Sequence, residues 1–188
     1  MKGETVKQTN LRTAYAKLGH HPGDMGPQEA EMIFNEAMKK REGATFLEIN
    51  PSFGRTTVVL GIAARNLGGK LYLACEWQNV SQDEQRWLGR AIALHGLKGT
   101  VIVLPDSGQK SIQSALNGGG LDLVLINGEF ARTDFLPTGK DSTIITRKSA
   151  SKPTWSEIVE DHRPIISIWK VTREHERVEM TVIEGGKI

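Results

Sequence analysis

The sequence predicts an α/β fold: a doubly wound, mostly parallel sheet of seven strands that closes in a C-terminal antiparallel hairpin. Three observations predict it. Short apolar runs, Phe46 to Ile49, Leu71 to Cys75, Val101 to Leu104 and Leu121 to Ile126, alternate with stretches whose apolar residues recur at helical spacing. The run Leu71 to Cys75 is continuous rather than alternating, as in a parallel strand covered on both faces. Near the C-terminus the pattern changes, and Val178, Met180 and Val182 alternate with Glu179 and Thr181, the mark of an antiparallel strand with one wet face.

Bulk properties bound the answer. With 188 residues, 38% hydrophobic and 24% charged, the chain suits a single soluble domain over 1–188 with a substantial core. A formal net charge of +2 is too small to imply nucleic acid. No apolar run approaches the roughly 20 residues that cross a bilayer, and MKGETVKQTN lacks the apolar centre of a signal peptide, so a cytoplasmic protein without a membrane partner is expected. The single cysteine, Cys75, excludes an internal disulfide and a multi-cysteine metal cluster, and its apolar strand marks it as a buried structural thiol.

Taken in order, residues 1–26 read as a polar leader that could serve as a lid, with the pair His20-His21 near its end. Pro27 suits a first helical turn, and Ala30, Ile33, Phe34, Ala37 and Met38 form one apolar stripe running to about Lys40. After strand one, the turn Asn50-Pro51-Ser52-Phe53-Gly54 opens into a helix from Arg55 to Asn66 that is apolar over most of its circumference. Strand two ends in Cys75-Glu76, and a helix over Gln82 to His95 places Trp87, Leu88, Ala91, Ile92 and His95 on one side. Strand three exits through Pro105-Asp106-Ser107-Gly108 into a short helix, Ser111 to Leu116, and Gly118 to Gly120 turn into strand four. The stretch Ala131 to Asp141 holds Pro137 and Gly139 and is too broken for a full crossover helix. Strand five over Ser142 to Thr146, a helix over Thr154 to Asp161 and strands over Ile165 to Val171 and Arg177 to Ile183 complete the order.

The chemistry centres on Thr45 to Thr57, TFLEINPSFGRTT, which reads as strand, loop and helix. Such a loop aims free backbone N–H groups and the positive end of a helix dipole at one point, and Gly54 lets a ligand approach the backbone. About twenty residues later Glu76 ends strand two, where an acid can accept hydrogen bonds from both hydroxyls of a ribose. Asp106 follows strand three. All lie at carboxyl ends of parallel strands, where open α/β sheets bind ligands, so an adenosine-containing ligand is expected. The competing reading is an ordinary strand-to-helix turn that binds nothing.

The runs EINPSFGRTT, LYLACEW, VIVLPDS and LDLVLINGEF, preceded by GPQEAEMIFNEA, resemble the small class I S-adenosylmethionine-dependent methyltransferases of the O-methyltransferase-like group. Their pattern is E-x-G-x-x-x-G-x-S-T, then D-x-W, then G-D-S, then D-G-D-H. The resemblance covers about Gly26 to Phe130 and continues beyond only in layout. It implies a Rossmann-like sheet and S-adenosyl-L-methionine as cofactor. Glu48 and the turn from Asn50 to Gly54 would bind its methionine end, Glu76 the ribose, Trp77 would lie near the adenine, and Asp106 and Ser107 would bracket it; Asn127 is counted with them.

The departures are informative. Asn50 replaces the family's first glycine, and Asn is the next most tolerant residue for a left-handed backbone. Asn127-Gly128-Glu129-Phe130 replaces D-G-D-H and lacks the carboxylate that holds a divalent metal in metal-using members, while Arg147-Lys148 follow strand five. A hard cation prefers carboxylate oxygens, so no metal site is expected. Methyl transfer then needs mainly alignment, with a base if the nucleophile is a hydroxyl. Candidate bases are His20, His21, Lys148 and Glu129, set against a surface histidine pair and a surface strand-end lysine. His162 and His175 read as solvent residues, Trp155 and Trp169 as packing.

Three function classes remain open. The first is a methyltransferase acting on a small-molecule acceptor, with a homodimer as the assembly considered. The second is a protein that keeps the fold as a ligand-binding or interaction module. The third, a nicotinamide-dependent oxidoreductase, is disfavoured because Asn50 to Arg55 lacks the tight G-x-G-x-x-G turn.

Overall fold

A computed structural model describes residues 11–19, 21–23, 25–128, 134–147, 166–171 and 178–183 of the chain. The leader Met1 to Asn10, His20, Glu129, Phe130, Lys148, the helix expected over Thr154 to Asp161, His162 and His175 lie outside the described residues.

Five parallel strands form the sheet: β1 (Thr45–Ile49), β2 (Lys70–Ala74), β3 (Val101–Val103), β4 (Leu121–Asn127) and β5 (Thr138–Arg147), in the order β3-β2-β1-β4-β5. Beyond β5 lie β6 (Ile166–Val171) and β7 (Val178–Ile183), each antiparallel to its predecessor. The helices are α1 (Leu11–Leu18), α2 (Pro27–Met38), α3 (Arg55–Asn66), α4 (Gln82–Leu94) and α5 (Gln109–Leu116). The chain steps outward from β1 through β2 to β3 and then returns to the other side of β1. That reversal opens a crevice between the carboxyl ends of β1 and β4, where sheets of this kind take ligands.

Side-chain alternation divides the core. Phe46, Leu71, Leu73, Leu123 and Leu125 pack with the buried residues of α1 to α4, whereas Leu47, Ile49, Ala74, Val124 and Ile126 pack with Ile112 of α5 on the opposite face. Every residue of α3 from Thr56 to Ala64 is buried, as its all-round apolar sequence requires. At the outer edge of the five parallel strands, β3 leaves Ile102 and Val103 exposed.

Two expectations change. Within the segment read as a polar leader, α1 packs Ala14 and Leu18 into the core, with Leu11 and Tyr15 against it, at the i, i+3, i+4, i+7 spacing of one helical face. Strand five begins at Thr138 rather than Ser142, because a register shift sets Leu121 opposite Thr138 but Leu123 opposite Thr143, and Ser142 Oγ donates to Leu121 O at 2.5 Å.

The end of α4 carries a pH-sensitive residue. His95 is buried, its Nε2 has no partner among the described residues, and its carbonyl accepts a hydrogen bond from Arg65 Nη1 at 2.8 Å. Burial holds its pKa below the ordinary 6.5, and the positive charges of Lys17, His21 and Arg65 push the same way. A depressed folded-state pKa supplies stability that is present above the unfolded value and is lost as pH falls through the folded one. The urea midpoint should therefore decline on acidification below about pH 6.5. His95→Gln, which cannot charge, should flatten that decline; an unchanged slope in the variant would assign it to other groups.

Candidate functional site

The loop between β1 and α3 carries three left-handed residues in five: Asn50 (φ 57°), Ser52 (φ 48°) and Gly54 (φ 94°). Asn adopts this region readily and Gly at no steric cost, whereas Ser is strained there. Gly54 is required for a second reason. A Cβ on it would come within 2.9 Å of Leu88 Cδ1 and 3.3 Å of Leu88 Cα, so the missing side chain admits α4, where the sequence suggested the approach of a ligand.

Other groups fix the loop. Asn50 N–H donates to Ala74 O at 3.0 Å, Asn50 Nδ2 donates to Asn127 O at 3.2 Å, and Cys75 Sγ lies 3.5 Å from Asn50 Oδ1. Burial raises the Cys75 pKa, which keeps it a neutral thiol, as expected. Arg55 clamps the segment before α2 onto the loop, donating to His21 O at 2.9 Å and to Tyr15 Oη at 3.0 Å while its guanidinium stands over the Tyr15 ring. His21 does not face the crevice as a base. Its Nε2 is 2.6 Å from Phe53 O and its ring packs edge-on against Trp87, so it buttresses the loop from behind.

The crevice has a volume of about 410 Å³, within the roughly 300–1,000 Å³ of small-molecule sites. Its walls include the loop from Asn50 to Thr56, Met25, Cys75, Glu76, Glu84, Asn127 and Arg147.

Glu48 lies beneath the floor. Fully buried, it accepts hydrogen bonds from Thr56 Oγ1, from Thr57 Oγ1 at 2.6 Å and from Asn127 Nδ2 at 3.0 Å. Burial raises its pKa, against the opposing effect of those three donors and of the Arg147 charge. The sequence placed Glu48 on the ligand; alternation with Leu47 and Ile49 instead turns it under α3. Above it, Asn127 also donates to Thr56 Oγ1 at 3.3 Å, while its Oδ1, though buried, has no partner among the described residues. Beside them the buried Arg147 guanidinium pairs through Nε and Nη2 with Glu29 in the first turn of α2, and Glu29 in turn accepts from Gly26 N–H.

On the β2 side Glu76 is exposed, accepting from Ser107 Oγ at 2.8 Å and from Gln78 Nε2 at 2.7 Å. Ser107 thus bears on the crevice through Glu76. Trp77 and Asp106 do not line it. The indole N–H donates to Leu104 O at 2.6 Å, and the ring belongs to a separate shallow groove with Gln85, Leu88 and Pro105. Asp106 caps the turn into α5: Ser111 and the Gly108 N–H hold its carboxylate below the ordinary 3.8. Asn50, Gly54, Glu76 and Asn127 are therefore brought together. Arg55, Thr56, Glu29 and the burial of Arg147 were missed, and only the helix-start position of Glu29 carried a local signal.

No family model and no curated protein matches the sequence. Solved structures do. The cofactor-bound Rv0187 from MTB matches with a TM-score of 0.56 at 16% identity, over 93% of this chain and 89% of its own. A protein-L-isoaspartate O-methyltransferase gives 0.52 at 14% identity, over 90% of this chain and 50% of its own. The O-methyltransferase TomG from Streptomyces achromogenes, involved in tomaymycin synthesis and solved with S-adenosylmethionine, gives 0.51 at 14% identity, over 77% and 66%. The chain spans about half the length of some of these matches, 47% of one from Agrobacterium tumefaciens. The likeness is one of fold, and the fold is that of the class I S-adenosylmethionine-dependent methyltransferases, as the sequence resemblance implies.

Proposed function

We propose that the protein is an S-adenosylmethionine-dependent methyltransferase that acts on a small molecule in the cytoplasm without a metal, on a sheet of seven strands closed by the C-terminal hairpin. The observation that carries this reading is the crevice at the β1/β4 reversal, with the start of α3 on one wall and the exposed Glu76 carboxylate on another. The residues fit the cofactor. A carboxylate offers about four acceptor positions and Glu76 uses two within the protein, so a ribose diol can take the rest. The free N–H groups and dipole at the start of α3 suit the carboxylate of an amino-acid end. When bound, the cofactor supplies a methyl group activated on a sulfonium. The protein's part is to hold it, align the acceptor and exclude water, for which Met25, Pro51 and Phe53 line the crevice.

Calorimetric titration tests the reading: the chain should bind S-adenosylhomocysteine and not NAD. Glu76→Ala should weaken that binding about ten- to a hundredfold, as expected for loss of a charge-assisted pair of hydrogen bonds. Unchanged affinity would remove Glu76 from the site. Metal independence is supported by Asn127 standing where a carboxylate would bind a cation and by the guanidinium of Arg147 in the same wall. Turnover should survive excess EDTA; loss that Mg²⁺ restores would overturn it.

A second reading, a binding module without turnover, is favoured by one observation. His21 is engaged behind the loop, so among the described residues no histidine lines the crevice. A panel of phenols, amides and amines decides: cofactor binding with no methylated product selects the module.

A further inference from the structure

We propose that the protein binds a second copy of itself through β3, the two strands pairing antiparallel about a two-fold axis at Val103 with the two α4 helices packed beside them. The proposal does not depend on the methyltransferase reading. β3 lies at the edge of the sheet and leaves Ile102 and Val103 exposed by 37% and 54%. Thr100 O and the Leu104 N–H bond to β2, so by alternation the backbone N–H and C=O of Val103 point away from the sheet. Exposed edges are usually blunted by a charge, a proline or a bulge. Val101–Val103 contains none of these, whereas β7 at the opposite edge carries Glu179.

Backbone donors select both the occupant and the register. The Val101 N–H already donates to Leu97 O at 2.8 Å, and Pro105 has no N–H to give. Val103 alone in this stretch presents a donor and an acceptor together, and opposite its own copy it exchanges both in one reciprocal pair. A two-fold axis makes that match automatic. Charge favours the same direction. The exposed Lys98 precedes β3 and Asp106 follows it, so antiparallel pairing brings the basic end of each copy to the acidic end of the other. Parallel pairing would set like charges together.

One reciprocal pair of hydrogen bonds is too little to hold two chains, and α4 supplies the rest. Its Leu88 and Ile92 share a core cluster with Leu71 and Leu73 of β2 and Val101 of β3, which seats it above that strand pair. Its side toward the edge presents Gln85, Gly89 and Ala93 in one row, all exposed and uncharged, and a Cβ on Gly89 would meet nothing within 4 Å. Across the axis the two α4 helices stand two strand spacings apart, about 10 Å. That is the upper end of the roughly 8–10 Å at which helices pack, so the row of small residues meets its copy without a gap. Between helix and strand, the groove that holds Trp77 and Pro105, about 530 Å³ in volume, is closed by the second copy.

Analytical ultracentrifugation of the full chain tests the proposal. Its mass should rise from 20.7 kDa toward twice that value and no further, over a range of about 1 µM to 1 mM that spans the affinities of small interfaces. Val103→Lys and Val103→Glu each set like charges face to face on the axis and should stay monomeric. An equal mixture of the two should dimerise, because the lysine of one copy then faces the glutamate of the other. Gly89→Gln should weaken association about tenfold by holding the α4 helices apart. Far-UV circular dichroism checks that each variant folds, and Gly89→Gln carries the test if a position-103 variant does not. A mass fixed at 20.7 kDa overturns the proposal. Hydrogen exchange at the Val103 amide would then assign the edge, to a segment of the same chain if it is protected and to a different protein if it is not. A dimer that persists in Val103→Lys places the interface elsewhere, a mixture that stays monomeric refutes the two-fold register, and a mass that climbs past two copies shows open-ended pairing; each of these overturns it as well.

Discussion

Replacing Arg147 by methionine should lower the free energy of unfolding by about 3–5 kcal/mol, the cost of leaving one partner of a buried ion pair uncompensated. Both side chains of the Glu29–Arg147 pair are almost wholly out of solvent, so the orphaned Glu29 carboxylate has little water to turn to. Replacing both residues by apolar ones should recover most of the loss, since a well-packed apolar pair is often as stable as a buried ionic one. The recovery should stop short of complete, because Glu29 also accepts the Gly26 N–H at the start of α2. Urea unfolding of the two single variants and the double one gives the coupling directly. A single variant that loses less than about 1 kcal/mol would mean that water reaches the pair.

Gly54→Ala should cost about 3 kcal/mol and loosen the loop between β1 and α3 with it, from two additive sources: roughly 1–2 kcal/mol for a left-handed L-residue and roughly 1–3 kcal/mol for overpacking. The clash is with Leu88 Cδ1, which could move, but also with Leu88 Cα, which could not without shifting α4. Gly54→Asn separates the two sources, because Asn tolerates the left-handed region while its Cβ meets the same helix. If Gly54→Asn proves as stable as the unaltered protein, packing against α4 is not what demands glycine here.

What the sequence made legible was local. The strand, turn and helix from Thr45 to Asn66 could be read because hydrophobic period, turn residues and the glycine lie within two dozen positions. The position of Glu76 at the crevice was legible from spacing alone, since it depends only on where β2 ends. Glu48 was misjudged because the end of a strand fixes a residue's height but not its face; the alternation that buries Phe46 against the helices turns Glu48 the same way. Trp77 and Asp106 leave their strands beside the crevice, yet the direction of a loop after its strand is decided by contacts such as Trp77 to Leu104 that no short window contains. The Glu29–Arg147 pair joins positions 118 apart, and α1 was overlooked because two helical turns give too little periodicity to stand out.

The left-handed loop at Asn50, Ser52 and Gly54 sets a limit on how this protein can be made sturdier. A non-glycine residue held in that region costs on the order of 1–3 kcal/mol, a sizeable share of the about 5–15 kcal/mol that separates a folded domain from its unfolded chain. Selection for heat resistance alone would therefore favour relaxing this turn, for example through a shorter or glycine-richer connection. Yet the same turn sets the Asn50 amide against the Asn127 carbonyl and forms one wall of the crevice. On the proposed function, thermal hardiness and ligand recognition compete for the same five residues, and a stabilised descendant of this chain would most readily trade away its specificity there.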